Sequence, residues 1–304
     1  MNAYNIIPEI KTDSKNYSFT YSSSQELSPG TIVDIPLRNR IVRGMVEKPV
    51  VTPKSFPIKP IKNITDLTLS EDYQQIIYWI ADYYLCSPGE ALSLFLPPEM
   101  KRPKIAPIHN QKTAKSPNRL TKDQQEIFND LKNKLNQKQK TPSLIFGVTG
   151  SGKTEIYLKI AKEVIASGKQ VVVLVPEIIL TPQTEQRFLE YFENQIVLFH
   201  SNLSKSERLI GYQDFIQKRK NIIIGPRSAL LVPSDNIGLI IVDEEHEDSY
   251  KQEQSPRYHA VRLAEKIAEV KNALLIFGSA TPSVETFYKA KTGKIDLHEL
   301  VFRY

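Results

Sequence analysis

The chain has 304 residues, a formal net charge of +6, a pI near 9.1 and one cysteine, Cys86. That length allows two domains with separate cores, and a single cysteine excludes a disulfide framework or a cysteine-rich zinc site within it. No apolar run approaches the roughly 20 residues that cross a bilayer, and no basic-then-apolar leader opens the chain, so a cytoplasmic protein without membrane contact is expected.

Residues 1 to about 66 read as short strands with turns. Thr31 to Ile35 and Ile41 to Val46 are apolar, β-branched runs, and Pro36-Leu37-Arg38-Asn39-Arg40 supplies the turn between them. Four prolines from Pro49 to Pro60 discourage regular pairing and predict edge strands and loops. A small β-barrel or sandwich fits this pattern. Arg38, Arg40 and Arg43 cluster beside the turn, as phosphate contacts or as solvated turn charges; the residues alone leave both open.

Leu69 to Cys86 is predicted helical, with Ser70 as N-cap and Glu71 and Asp72 in the first turn. Tyr73, Ile76, Ile77, Ile80 and Tyr84 recur at helical spacing, and Pro88-Gly89 ends the segment. Tyr78, Trp79, Tyr83 and Tyr84 add aromatics that at this spacing predict core packing over base stacking, and Cys86 predicts a buried rather than reactive thiol. Residues 97 to 118, with prolines at 97, 98, 103, 107 and 117, predict a linker and domain boundary. The lysines between Leu131 and Lys140 predict a solvated helix end.

Gly147-Val148-Thr149-Gly150-Ser151-Gly152-Lys153-Thr154 follows the apolar run Leu144-Ile145-Phe146 and opens a helical segment from Glu155 to Ala166. Strand, glycine turn and helix are the context a P-loop requires. The glycines let backbone N–H groups form a concave nest for phosphate oxygens, and the positive end of the helix adds attraction. Lys153 can then reach the β/γ-phosphates and the Thr154 hydroxyl can ligate Mg²⁺. ATP and Mg²⁺ are the expected ligands.

From about residue 119 apolar runs at 144–146, 171–175, 196–199, 222–224, 239–242 and 274–277 alternate with helical stretches, which predicts a parallel sheet covered on both faces. Leu239 to Val242 ends in Asp243-Glu244-Glu245-His246, the expected second Mg²⁺ anchor: Asp243 to hold the metal, Glu244 to polarise the attacking water. Gly278-Ser279-Ala280-Thr281-Pro282 ends another buried strand, where Ser279 and Thr281 can relay loss of the γ-phosphate. The fold class is thus α/β, a RecA-like P-loop lobe with a parallel sheet over 119–304. It is preceded by a mainly-β domain with helices over 1–102 and a linker over 103–118.

P-loop, DEEH and SATP in this order resemble the superfamily 2 helicases and translocases. The series Leu174-Val175-Pro176-Glu177-Ile178-Ile179-Leu180-Thr181-Pro182-Gln183, His200-Ser201, Glu207-Arg208, Gly225-Pro226-Arg227-Ser228-Ala229-Leu230, Ser249-Tyr250-Lys251-Gln252 and Arg257-Tyr258-His259-Ala260 is closer still. It is similar to the PriA family of bacterial replication-restart helicases, almost continuously from Leu120 to Glu285 and more weakly over residues 1 to 102. The resemblance implies a DNA 3′-end-binding domain in front, with Phe19-Thr20-Tyr21 in its pocket, and adenine recognition through Gln124. It places Thr181, Arg227 and Ser228 against single-stranded DNA. It makes Tyr250, Lys251, Arg257 and Tyr258 part of an aromatic-rich loop that couples DNA binding to hydrolysis. Bottom-up, those aromatics interleaved with basic residues suit base stacking beside phosphate.

The departures are specific. The family pattern Arg-Tyr-His-Ala-Arg-Asp reads Arg257-Tyr258-His259-Ala260-Val261-Arg262, and Thr20 stands where the family often has aspartate. The linker is too short for the winged-helix domain many members carry. The sequence runs to Tyr304, about twenty residues past the SATP motif, so a second lobe with its arginine finger and a zinc-binding C-terminal part are expected only in a longer protein. On that footing this chain should bind Mg-ATP weakly, hydrolyse it slowly and not unwind DNA. The expected partners are forked and single-stranded DNA and, by resemblance, single-strand-binding protein and other primosome or replicative-helicase-loading proteins. The leading reading is a 3′→5′ DNA helicase that recognises stalled forks and starts primosome assembly. A non-unwinding translocase and a fork-binding scaffold with a vestigial ATP site are its rivals.

Overall fold

The computed structural model describes residues 2–13, 16–52, 57–98, 119–176, 182–200 and 202–300, with the side chains of 182–185 excepted. The chain divides into two compact units, residues 1–96 with 252–258, and residues 97–251 with 259–304. The linker expected over 103–118 lies outside the described residues.

The first unit is a six-stranded sheet of β1 (Asn2–Pro8), β2 (Phe19–Ser23), β3 (Thr31–Leu37), β4 (Arg40–Val50), β5 (Lys59–Pro60) and β6 (Asn63–Thr68), ordered β5-β2-β1-β4-β3-β6. β1 pairs antiparallel with β2 and β4, and β3 does so with β4 and β6. The β3–β4 turn falls at Arg38, whose φ of 53° places it in the left-handed region. Inward residues Tyr4, Ile6, Tyr21, Leu27, Val33, Ile35 and Val46 form the core. Arg43 turns away from solvent to make a two-pronged ion pair with Glu9, 2.7 Å from each carboxylate oxygen. The arginine cluster therefore splits: Arg43 is a structural ion pair, while Arg38 and Arg40 stay at the turn.

α1 (Glu71–Tyr83) buries Tyr73, Ile76, Ile77 and Ile80, each burial contributing about 1.5–3 kcal/mol. It stops earlier than expected because Leu85 takes a φ of 54°, which no right-handed helix continues through. Pro88-Gly89 opens the next helix instead of closing this one. α2 (Pro88–Ser93) begins with proline in its first turn and a reciprocal capping box between Ser87 and Glu90. Core packing holds for the Tyr73 face only. Trp79, Tyr83 and Tyr84 form a surface cluster, Trp79 stacked on Tyr83 at 5.0 Å between ring centres, and Tyr83 is 55% exposed. Cys86 is half-buried, and burial followed by the Glu90 charge raises its thiol pKa, as suits an unreactive thiol.

The second unit opens with α3 (Lys122–Lys134) and then alternates: β7 (Ser143–Gly147), α4 (Lys153–Ala166), β8 (Gln170–Leu174), α5 (Pro182–Phe192), β9 (Ile196–Leu198), α6 (Lys205–Ile216), β10 (Ile222–Gly225) and β11 (Ile237–Asp243). After a short pair, β12 (Lys251–Gln252) and β13 (Tyr258–His259), whose residues 252–258 group with the first unit, come α7 (Ala260–Lys271), β14 (Leu274–Ser279), α8 (Val284–Lys291) and β15 (Asp296–Leu300). Seven strands form one sheet ordered β15-β7-β14-β11-β8-β10-β9, and every adjacent pair is parallel. The near-continuous Val/Ile/Leu runs are what a parallel sheet buried on both faces demands. β15 was not anticipated: Asp-Leu-His-Glu-Leu is too polar to read as a buried strand and survives only at the sheet edge.

The lysine run was expected to be solvated; Lys132 and Lys138 are exposed, but Lys134 is 4% exposed. Its Nζ lies 2.7 Å from Ser143 Oγ, 3.2 Å from Asp130 and 2.6 Å from Asp296. Two carboxylates offset the desolvation of the ammonium, so the charge fastens α3 to β7 and β15. Among the described residues no helix is long and apolar enough to cross a membrane.

Candidate functional site

In a parallel sheet ligands collect outside the carboxyl ends of the strands. β7, β14 and β11 are neighbours in the sheet, and the glycine-rich loop, the Gly278-Ser279 end and Asp243 lie at those ends. Three segments that are far apart in sequence therefore meet at one edge.

The loop is built as its glycines require. Gly150 and Gly152 take φ of 82° and 83°, where a β-carbon would be strained, and Gly152 caps α4. Lys153 is 8% exposed, and its Nζ donates to the Gly147 carbonyl at 2.8 Å and lies 3.9 Å from Glu244 Oε1. Thr154 follows in the first turn of α4, half-buried. The Ser151 hydroxyl is buried without a hydrogen-bond partner among the described residues, an orphaned polar group inside the loop. Gln124 is 1% exposed, and its amide is engaged by the chain itself: Nε2 donates to the Ser151 carbonyl at 3.0 Å and Oε1 accepts from Thr121 N–H at 3.0 Å. In this arrangement Gln124 ties the start of α3 to the loop.

Asp243 is half-buried, and its Oδ1 accepts from the Tyr157 hydroxyl at 3.0 Å. Burial, followed by the neighbouring Glu244 charge, pushes its carboxyl up to about 6, against the opposing pull of Lys153 and the Tyr157 hydrogen bond. Glu244 has a φ of 46°, a left-handed conformation that glutamate rarely adopts and that the surrounding structure must hold in place. The strained turn sets Glu244 beside Lys153 and His246 rather than along the strand direction.

The other two DEEH residues reach the SATP segment. Glu245 is 3% exposed; its carboxylate accepts from Ser283 N–H at 2.7 Å and from the Ser283 and Thr286 hydroxyls at 3.0 Å each, which anchors the N-terminus of α8. His246 Nδ1 lies 2.8 Å from Ser279 Oγ and its Nε2 lies 3.3 Å from Thr281 Oγ1. Ser279 Oγ also accepts from Thr281 N–H at 3.0 Å. The sequence reading singled out Ser279 and Thr281 but missed Glu245 and His246 as their partners, and it missed Tyr157. The signal available was the unbroken acidic run itself, since four adjacent polar residues at a buried strand end cannot all point one way.

The residues expected against DNA are dispersed in character. Arg227 and Ser228 sit half-buried in the 3₁₀ turn Arg227–Leu231, and Arg227 Nη1 donates to the Ser249 carbonyl at 2.5 Å. Lys251 and Arg257 are exposed, with Arg257 Nε donating to the Glu253 carbonyl at 3.1 Å. Base stacking by Tyr250 and Tyr258 requires correction. Tyr250 is fully buried with its hydroxyl on the Asp243 carbonyl at 2.6 Å, and Tyr258 is 4% exposed. Neither ring has a free face. Thr181 lies outside the described residues.

In the first unit Phe19, Thr20 and Tyr21 line one cavity of about 380 Å³ with Pro36, Leu37, Arg38 and Lys59. Phe19 is 40% exposed, whereas Tyr21 is buried with its hydroxyl donated to the Pro36 carbonyl at 3.1 Å, so Tyr21 forms a wall and not a stacking face. Thr20 Oγ1 donates to Asn5 Oδ1 at 3.1 Å, which leaves its lone pairs free to accept. Asn5, which orients that hydroxyl, was not legible in the sequence.

Residues 118–284 match the family described as type III restriction enzyme, res subunit, and residues 7–97 match the 3′DNA-binding domain (3′BD). Replication restart protein PriA of Rickettsia felis is 34% identical over 283 residues, 91% of this chain and 43% of that protein. PriA of Helicobacter pylori strain J99 is 36% identical over 289 residues, covering 95% and 44%. PriA of Bacillus subtilis is 44% identical over 184 residues, covering 60% and 23%. The chain spans less than half the length of these relatives.

Proposed function

The chain belongs to the family described as type III restriction enzyme, res subunit, and we propose that it is the front portion of a replication-restart protein, an ATP-driven 3′→5′ DNA helicase. The observation that carries this reading is the convergence of the glycine-rich loop, Asp243-Glu244 and Ser279 at the carboxyl ends of three adjacent strands. The residues present suit a Mg-nucleotide: a loop with two left-handed glycines, a buried ammonium and an orphaned hydroxyl would take phosphate oxygens, and hydroxyl and carboxylate oxygens are the hard donors Mg²⁺ prefers.

In this account Lys153 and the loop N–H groups of residues 147–154 hold the phosphates, Lys153 exchanging its bond to the Gly147 carbonyl for a phosphate oxygen. Thr154 and Asp243 would hold the metal. Mg²⁺, when bound, neutralises charge on the transferring phosphoryl group. Glu244, fixed by its strained backbone, orients and polarises the attacking water. His246 relays the state of the site to Ser279 and Thr281, and Glu245 keeps α8 in place as the relay moves. Catalysis here is positioning and electrostatics, which is why the groups are pre-set by buried hydrogen bonds. Gln124 positions the loop and, when its bond to Ser151 opens, presents its amide to adenine.

In the first unit Phe19 stacks on a terminal base, Thr20 accepts from the terminal hydroxyl, and Arg38 and Lys59 contact phosphates. Arg227, Ser228, Lys251 and Arg257 supply further sequence-independent phosphate contacts. The partners under this reading are forked and single-stranded DNA, single-strand-binding protein and the replicative-helicase-loading proteins, in the cytoplasm. Under this reading ATP turnover by the 304 residues alone is slow, and strand release is a property of the full replication-restart protein of which they are a portion. A strand-displacement assay on that longer protein tests the reading. ATP-dependent release of a strand by 3′→5′ movement is expected; hydrolysis without release would make it a translocase, and fork binding with neither would make it a scaffold.

A further inference from the structure

Tyr157 lies in α4, four residues after Lys153 and three after Thr154, spacings that put all three on one side of the helix. Its ring is 1% exposed and its hydroxyl donates to Asp243 Oδ1 at 3.0 Å. The neighbouring strand is shaped around this bond. Gly278 sits beside Asp243 in the β11–β14 register, and a β-carbon there would fall 1.7 Å from Tyr157 Oη and 2.9 Å from Asp243 Oδ1. The backbone of Asp243 is held as well, because its carbonyl accepts from the Tyr250 hydroxyl at 2.6 Å. A carboxylate so held cannot rotate about its Cβ–Cγ bond without stranding a buried phenol, a loss of about 1–3 kcal/mol.

We propose that Tyr157 is a positioning residue for the metal ligand Asp243. It sets the carboxylate from the same helix that carries Lys153 and Thr154, so that loop, hydroxyl and carboxylate share one frame. The inference rests on the Mg-nucleotide reading of the site. The contrary view makes Tyr157 a core residue whose hydroxyl merely finds a partner.

The test is equilibrium binding of a fluorescent ADP derivative to the 304-residue chain, titrated with Mg²⁺. Tyr157→Phe keeps the ring and removes the hydroxyl. It is expected to raise the Mg²⁺ concentration at half-maximal binding about tenfold, the scale of losing a hydrogen bond that orients a ligand, and to leave metal-free binding unchanged. In an Asp243→Ala background the same substitution should add nothing, because the ligand it positions is gone. A lowered melting temperature with an unchanged Mg²⁺ requirement would overturn the proposal, as would equal effects in both backgrounds. If the unmodified chain binds the probe no better than Lys153→Ala, the nucleotide reading itself falls, and this inference falls with it.

Discussion

At the scale of single residues, the site is held by groups that oppose their own stability. Asp243 carries a carboxyl raised from 3.8 to about 6 by burial and by Glu244. The native state therefore binds this proton more tightly than the unfolded chain does. Stability from this group is full below the unfolded value near 4 and is lost as pH rises through about 6. Asp243→Asn keeps an acceptor for Tyr157 and removes the charge. It is expected to stabilise the metal-free chain by about 2 kcal/mol at pH 8 and by almost nothing at pH 4, measured by urea denaturation at both values. Equal gains at the two pH values would show that ionisation is not the source. Glu244 at a φ of 46° adds backbone strain of order 1–3 kcal/mol that the buried contacts around it must offset.

At the scale of elements, the parallel sheet, the loop and the helix after it were legible because buried β-branched runs and a glycine turn leave few alternatives. Tyr157, Glu245, His246 and Gly278 were not legible as a network. Their contacts join positions 33 to 86 residues apart, and nothing in the local pattern reports which strands will be neighbours. Tyr250 and Tyr258 misled for the converse reason: aromatics beside basic residues suit DNA stacking, yet the same pattern arises where a turn returns its aromatics to the interior. Lys134 misled similarly, since a lysine run looks solvated until Asp130 and Asp296 meet one of its members. The anchoring of α8 provides the test at this scale. Glu245→Ala leaves Ser283 and Thr286 without their buried acceptor and is expected to destabilise the chain by about 2–4 kcal/mol, seen as a lower urea midpoint. A change under 0.5 kcal/mol would mean that the Ser283 cap holds α8 unaided.

At the scale of the molecule, the two units suit different ligands. The first presents a cavity with one exposed aromatic, a free acceptor and basic neighbours, which suits the end of a nucleic-acid strand. The second presents a phosphate loop and a constrained carboxylate pair, which suits a nucleoside triphosphate. The net charge of +6 is uneven: residues 1–96 carry nine basic and ten acidic side chains, so the excess that favours approach of DNA without specifying a sequence lies in the rest of the chain. On the proposed function these units belong to one ATP-driven DNA motor. The most direct measurement is ATP turnover by the longer protein carrying this chain, with and without forked DNA bearing a free 3′ end, and with Lys153→Ala beside it. Turnover stimulated by the fork and abolished by the substitution is the expected result. Tight binding of the fork with turnover that neither rises with DNA nor falls in Lys153→Ala would contradict the account.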